Sequence, residues 1–545
     1  LSFTNKMKPV FGIVLLKLII FLTLLLFLQL FKSIVVYSET IEIPYDQPTI
    51  QDGINTAADG DTVLIYPGIY YENITVTDKN LVIGSLFLTT NDTSYIEQTV
   101  IDGGGQGVAV YFANVEESSM LCGLLIQNGN AQYGAGISLN VCTIRISHVN
   151  VENNITMASG AGIKCYYTDL ELNDFIIKNN RATGEYGING EGGGIWCYGC
   201  QINIYEGLIK SNRANLGGGL LLQNTSGKIS HTTILSNITG YPGGGIFVSG
   251  GHLTIENCSF TDNQGAGSAV YAQFTNMTFI NSIFTNNHSV VISCSQNCRM
   301  VFINCTLAEN NSGGYQVFDI FQGISVYILN TLFYNDDTPI EIALNSYDTL
   351  YIYHSDIDGG TGGLSYGSHN LIHYDGSNID NNPLFTAPGD FHLSDYSPCI
   401  GSGIDSLAVD TSWLLAPAFD FEDNPRPAPD NSNPDIGAYE NALGDPLTGI
   451  QMPDPITEEK SGLILCLIPA GEKFMINYTL PDDSFYTLTL YSLTGDRIDN
   501  LAMGCNSKGK HMLEWDNPSL KPGIYLVKLQ NKDGSITVKI PVIGH

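Results

Sequence analysis

Polysaccharide cleavage needs either calcium-binding carboxylates beside an Arg or Lys base, or a facing pair of carboxylates. The chain has six arginines, of which Arg145, Arg181, Arg213 and Arg299 fall in its central part, and none stands in a lyase-type motif. No His flanked by glycines accompanies paired aspartates, so the sequence names no catalytic residue. Cys197-x-x-Cys200 and Cys294-x-x-x-Cys298 have the look of metal or redox pairs. Neither has a His or a second pair at ligand spacing, so no metal site is assigned, and bridged or single buried thiols are both open readings. The aromatic residues Tyr166, Trp196, Tyr198, Phe247 and Tyr271 remain. Their flat rings suit sugar faces or a partner's apolar surface, provided one element gathers them.

That element is a repeat. A small-residue cluster leads into an aliphatic residue at Ile137, Ile163, Ile195, Leu220, Ile246 and Val270, in steps of 26, 32, 25, 26 and 24. A second series, Asn128, Asn154, Asn180, Asn212, Asn237, Asn263, Asn287 and Asn310, steps by 26, 26, 32, 25, 26, 24 and 23. Both series lengthen in the same unit, which signals a physical register of coils of roughly 25 residues stacked at about 4.8 Å. Between the markers the pattern alternates with period two, as in Leu170-Glu171-Leu172 and Leu253-Thr254-Ile255, so the coils are built of short parallel strands. The Asn column is then expected to be an amide ladder within the scaffold. A further row, Asn257, Asn281, Asn304 and Asn330, runs in steps of 24, 23 and 26.

The same offsets create two outward columns on one side of the solenoid. One is Ser138, Lys164, Trp196, Leu221, Phe247 and Tyr271; the other is Asn140, Tyr166, Tyr198, Gln223, Ser249 and Gln273. The five aromatics become neighbours there, and they form the expected ligand-binding surface unless the long loop Arg181 to Gly192 covers them. Arg145, Glu171, Asn203 and Lys228 share another outward column, which reads as exposed ion pairing rather than catalysis.

A formal charge of −31 repels phosphate backbones and anionic headgroups, which removes nucleic acid from the partners. Lys6 and Lys8 precede an apolar stretch interrupted by Lys17 and ending at Lys32, too short between its charges for a spanning helix. Val36-Tyr37-Ser38 offers a cleavage site before Glu39, so residues 1–38 are predicted to be a signal peptide. The cysteines then lie in an exported protein whose size does not require disulfide staples.

A solenoid exposes two raw ends. Ile50, Ile54, Ala57 and Ala58 place one face of a short capping helix before the first strand, and this opening resembles that of pectin-lyase-like β-helix proteins. Downstream come Ser355-Asp356-Ile357-Asp358-Gly359-Gly360, Asn378-Ile379-Asp380-Asn381-Asn382-Pro383, Asp420-Phe421-Glu422-Asp423-Asn424-Pro425-Arg426-Pro427 and Asp435-Ile436-Gly437-Ala438-Tyr439-Glu440. This string resembles bacterial right-handed β-helix surface proteins of the choice-of-anchor Q type, a family that implies surface location and no particular reaction. Asp356-x-Asp358-Gly359-Gly360 also resembles a calcium loop, which makes calcium a possible cofactor. After a Pro- and acid-containing linker, Phe474–Leu480, Tyr486–Ser492, His511–Trp515, Gly523–Leu529 and Ile536–Val542 read as strands of a small sandwich of five to seven strands. Leu490-Tyr491-Ser492-Leu493-Thr494-Gly495, Trp515 and Lys521-Pro522-Gly523-Ile524-Tyr525 resemble the sorting domain of the type IX secretion system, which implies passage across an outer membrane.

The expectation is an all-β protein: a right-handed parallel β-helix over 39–443 with an N-terminal capping helix and a C-terminal anchor-type cap, a linker over 444–462 and an immunoglobulin-like β-sandwich over 463–545. Its predicted role is a secreted or cell-surface, adhesin-like scaffold that binds glycan or a partner protein through the solenoid side. The alternative is a polysaccharide lyase or glycosidase with an unrecognised site. Polysaccharide or a surface protein, and the secretion machinery, are the expected partners.

Overall fold

The computed structural model of the protein describes residues 38–184, 190–335, 340–410, 412–447, 456–460, 463–470, 473–492, 497–516, 523–532 and 534–542. The proposed signal peptide lies outside them except for Ser38. From Thr40 to Tyr374 the chain winds into a parallel solenoid of about 13 turns. Each complete coil contributes to a 21-stranded and a 12-stranded sheet, and a shorter six-stranded sheet forms a third side over six coils.

The expected register holds. Ile137, Ile163, Ile195, Leu220, Ile246 and Val270 pair in one row, all fully buried. Helix α1 (Ile50–Thr56) precedes the second strand, and the Thr49 hydroxyl caps it by accepting from Asp52 N–H at 3.0 Å. Gly53 lets the helix lie against the core, because a Cβ there would meet Ile43 Cδ1 at 2.7 Å. The Glu72 carboxylate accepts from Ile50 and Gln51 N–H, both at 3.0 Å, and satisfies two more open helix donors.

The Asn column is an amide ladder with one correction. Each Nδ2–H donates to the next Oδ1 from Asn154 through Asn180, Asn212, Asn237, Asn263, Asn287 and Asn310 to Asn335, at 3.0 to 3.2 Å. Asn128 does not belong to it. Gln127 pairs with Glu152, so Gly129 is the counterpart of Asn154, and its N–H takes the Asn154 Oδ1 at 2.8 Å. The first step was therefore one residue too long, and Asn128 instead donates to Asp102 Oδ2 at 2.8 Å.

The far end of the ladder is a carboxyl group. Glu341 is buried, and it accepts from Asn335 N–H at 3.1 Å and Nδ2–H at 2.9 Å. Burial pushes its pKa from 4.5 up to about 8, against the lowering effect of the Asn335 bonds. Burial likewise raises Asp356 to about 6 and Asp435 to about 7. A raised folded-state pKa means that the contribution is whole below the unfolded pKa near 4 and is lost as pH climbs through 6 to 8. The thermal midpoint is expected to fall between pH 5 and 8.5. For Glu341 alone the loss is on the order of 4 kcal/mol, and Glu341→Gln, with no proton to exchange, should flatten that part of the slope. A midpoint that rises over this range, or a slope untouched by the variant, contradicts the assignment.

After Tyr374 the chain forms two small antiparallel hairpins, Phe385–Ala387 with Asp390–Leu393 and Ser406–Val409 with Ser412–Leu415. The anchor-type segment was expected to cover the raw end. It runs back along the flank of the solenoid instead, burying Val409, Leu414, Ile400, Ile436 and Ala438 against residues of strands 283–332.

The C-terminal region forms two four-stranded antiparallel sheets among the described residues, around a core that includes Ile476, Leu488, Leu490, Val527 and Val538. This exceeds the five to seven strands expected. The additions are Leu463–Ala470, Arg497–Asn506 and Ile456–Lys460, the last of which falls inside the proposed linker and pairs with Leu463–Ala470.

Candidate ligand-binding surface

Both outward columns align as the offsets require, with Lys164 paired to Trp196 and Tyr166 to Tyr198 on adjacent strands. Their exposure differs from expectation. Trp196 is 8% exposed and Phe247 7%, with fully buried Leu221 between them. Glu191, in the segment Arg181 to Gly192 that was the alternative cover, and Leu216, bridged to it on the next coil, supply the cover: Trp196 Nε1–H donates to Glu191 Oε2 at 3.1 Å, and Leu216 packs against the cluster. Tyr271 is half-buried and stacks on Phe247 at 5.4 Å. Trp196 and Phe247 therefore act as packing beneath the surface, and three of the five expected residues keep an open face.

The open part is a tyrosine cluster on coils 163–166 and 195–198. Tyr166 is 37% exposed and stacks on half-buried Tyr198 with centroids 5.7 Å apart. Tyr167, 50% exposed, stands edge-on to both, at 4.5 and 5.6 Å. Lys164 Nζ sits 5.6 Å from the Tyr166 and Trp196 rings, and burial lowers its pKa.

Tyr167 escaped the column analysis because it is a corner residue outside both strands. It adopts φ 47°, unusual for a bulky side chain. Gly199 makes room for it: a Cβ there would meet Tyr167 Cε1 at 2.6 Å. The Tyr166-Tyr167 pair, with Tyr198-Gly199 one coil on, was the signal in the sequence.

A second feature lies where the 21-stranded sheet bends. One residue per coil takes positive φ there: His148, Asp174, Glu206 and His231 on successive coils. They border a groove of about 550 Å³ that also includes Glu97 and Asn150. Phe175 floors it over Gly207, where a Cβ would meet the ring at 2.1 Å. His148 Nε2 lies 3.3 Å from Asp174 Oδ2, while its Nδ1 is buried with no hydrogen-bond partner among the described residues. Asn150 Nδ2–H donates to Glu97 Oε1. His231 Nε2 contacts Asp423 Oδ1 at 3.5 Å, so the returning tail touches one end of the groove. The Arg145 column is as bland as expected: Arg145 Nε meets Glu171 Oε2 at 3.2 Å with both side chains substantially exposed.

Residues 218–383 match the family model described as right handed beta helix region, and residues 468–543 match that of the secretion system C-terminal sorting domain. This chain is a β-helix protein with a type IX secretion tail. The sorting domain marks it for export through that machinery. No curated protein matches the chain. Among solved structures, the enzymatically active domain of tailspike protein 4 from bacteriophage CBA120 aligns over 89% of this chain and 64% of its own length, at 10% identity and TM-score 0.25. A likeness that low carries no argument about site or activity.

In this β-helix protein the anchor-type string is a clamp. The row Asn257, Asn281, Asn304 and Asn330 takes positive φ at the bend, aiming its amides at the returning tail. Asn281 Nδ2–H donates to Phe419 O at 2.7 Å, Asn304 to Asp435 O at 2.9 Å and Asn330 to Ile404 O at 2.9 Å. Arg426 is wholly buried. Its Nε–H donates to Glu440 Oε2 at 2.8 Å, one terminal nitrogen to Asn281 Oδ1 at 2.8 Å and the other to Gly437 O and Ala438 O. Asp356, in the segment resembling a calcium loop, is buried, and it accepts from Asn381 N–H at 3.1 Å and the Cys399 thiol at 3.2 Å. Among the described residues, no three His, Cys, Asp or Glu side chains converge as metal ligands.

Proposed function

We propose that the exported protein is a surface scaffold of the choice-of-anchor kind, which binds a glycan chain across the tyrosine cluster of its solenoid side. On this reading it matures at Glu39, the solenoid and its clamp form the displayed body, and the C-terminal domain is removed or exchanged for an outer-membrane anchor. The observation that carries the reading is the set of exposed Tyr166 and Tyr167 and half-buried Tyr198, held by two adjacent strands and the corner after the first and backed by buried Trp196. Rings fixed in this way bind without ordering flexible loops, and their faces match the apolar faces of sugar rings. The negative charge favours neutral glycans over polyanions.

A second reading, glycan cleavage, draws support from the groove. Its column sets two imidazoles and two carboxylates at coil spacing, and such groups can exchange protons with a bound chain.

Binding to a panel of neutral and acidic polysaccharides separates the two. Tyr166→Ala with Tyr167→Ala is expected to weaken the best ligand roughly tenfold or more, at about 1 kcal/mol per stacked ring. The same samples are assayed for unsaturated and reducing-end products, with and without calcium. Unchanged affinity in the double variant refutes the tyrosine site, and new ends that vanish in Glu206→Gln favour the groove.

A further inference from the structure

Eleven of the 12 cysteines are described as thiols in this structure, and three of them come together inside the solenoid. Cys165 and Cys197 pair directly on adjacent strands and are fully buried. Cys200 lies just before the following strand, and the Cys197 side chain lies near both Cys165 and Cys200. Cys142 stays apart, because its counterpart on the next coil is Thr168, and two coil spacings exceed the span of a disulfide. Strands paired at about 4.8 Å fall within the Cα separation of about 4.4–6.8 Å that a disulfide accepts.

Neither Cys165 nor Cys197 has a role in the mechanism or the surface described above, and export takes the chain out of the reducing cytosol. We propose that Cys197 forms an inter-coil disulfide with Cys165 in the exported protein, leaving Cys200 as a thiol in contact with it. The inference stands on the export signal and does not depend on the glycan reading. Both sulfurs are sealed once the coils close, so the bond forms while coil 195–198 settles on coil 163–166. The oxidant is a protein disulfide of the thiol-oxidase class. Its disulfide is reduced to two thiols, the two cysteine protons pass to those sulfurs, and one Cys165–Cys197 S–S bond forms. Cys200 then offers a route for exchange: its thiolate attacks the Cys197 sulfur, forms a Cys197–Cys200 bond and expels the Cys165 thiolate. The bridge ties together the two coils that carry Tyr166 and Tyr198.

The test uses the full chain recovered from the exported fraction, acid-quenched, unfolded and alkylated before and after reduction. Peptide mass spectrometry is expected to find Cys165 joined to Cys197 with loss of two hydrogens and Cys200 alkylated without reduction. Cys200→Ser should keep the crosslink, and Cys197→Ser should leave Cys165 alkylated. Three thiols alkylated without reduction, or Cys197 joined only to Cys200, overturns the proposal. Because every outcome is read on unfolded chains, a variant that folds poorly still reports.

Discussion

Replacing Asn212 with alanine is expected to cost the solenoid roughly 3–5 kcal/mol, the upper range for a single substitution. Asn212 is fully buried in mid-ladder. Its Nδ2–H groups serve Asn237 Oδ1 at 3.1 Å and Ile177 O at 2.9 Å, and its Oδ1 accepts from Asn180 N–H and Nδ2–H, both at 3.0 Å. Alanine removes one side chain but takes a partner from polar groups on three neighbours, Asn180, Asn237 and Ile177, and no water can reach them without opening the coil. Urea unfolding followed by circular dichroism checks the prediction, with Asn173→Ala as the control, since the half-buried Asn173 side chain donates to its chain neighbour Asp174 at 3.1 Å and lies outside the ladder. A loss at Asn212 no larger than at Asn173 would mean that the ladder contributes little.

Arg426→Ala is expected to be comparably damaging, and its effect should be local. The guanidinium pairs with Glu440 where neither side chain touches solvent, and it ties Asn281 of the solenoid to the carbonyls of Gly437 and Ala438. Truncation leaves an uncompensated buried carboxylate, which costs about 3–5 kcal/mol. Arg426→Lys keeps the charge but cannot serve those partners in one plane, so it should rescue only part of the loss. The readout is limited proteolysis: residues 385–447 should become cleavable while the coils before Asn257 stay protected. Equal protection in wild type and variant would show that the apolar contacts of Leu414, Ile400 and Ile436 hold the tail without the arginine.

Periodicity made the coil register legible, since two independent marker series had to lengthen together for the strands to stay paired. The slip at Asn128 shows the limit of such counting. Asn128 and Asn154 are one register position apart, and the pairing of Gln127 with Glu152 and the hydrogen bond from Gly129 N–H to Asn154 Oδ1 distinguish the true row from its neighbour. Asn257, Asn281, Asn304 and Asn330 were visible as a row, but their partners in the returning tail lie 74 to 166 residues away, beyond any repeat. The extra strands Ile456–Lys460 and Arg497–Asn506 were missed because the first is rich in charge and the second groups its polar and apolar residues in runs, so neither carries an alternating apolar signature.

By itself, the sequence determined that this chain is a solenoid of parallel strands with a secretion tail, because both follow from local patterns that repeat or match along the chain. Tertiary structure alone decided which outward side chains meet solvent. Trp196 and Tyr198 occupy equivalent outward positions two residues apart, yet Glu191 and Leu216 cover the first and leave the second half open. Exposure depends on what neighbouring segments lay over a residue, and no period in the chain encodes that.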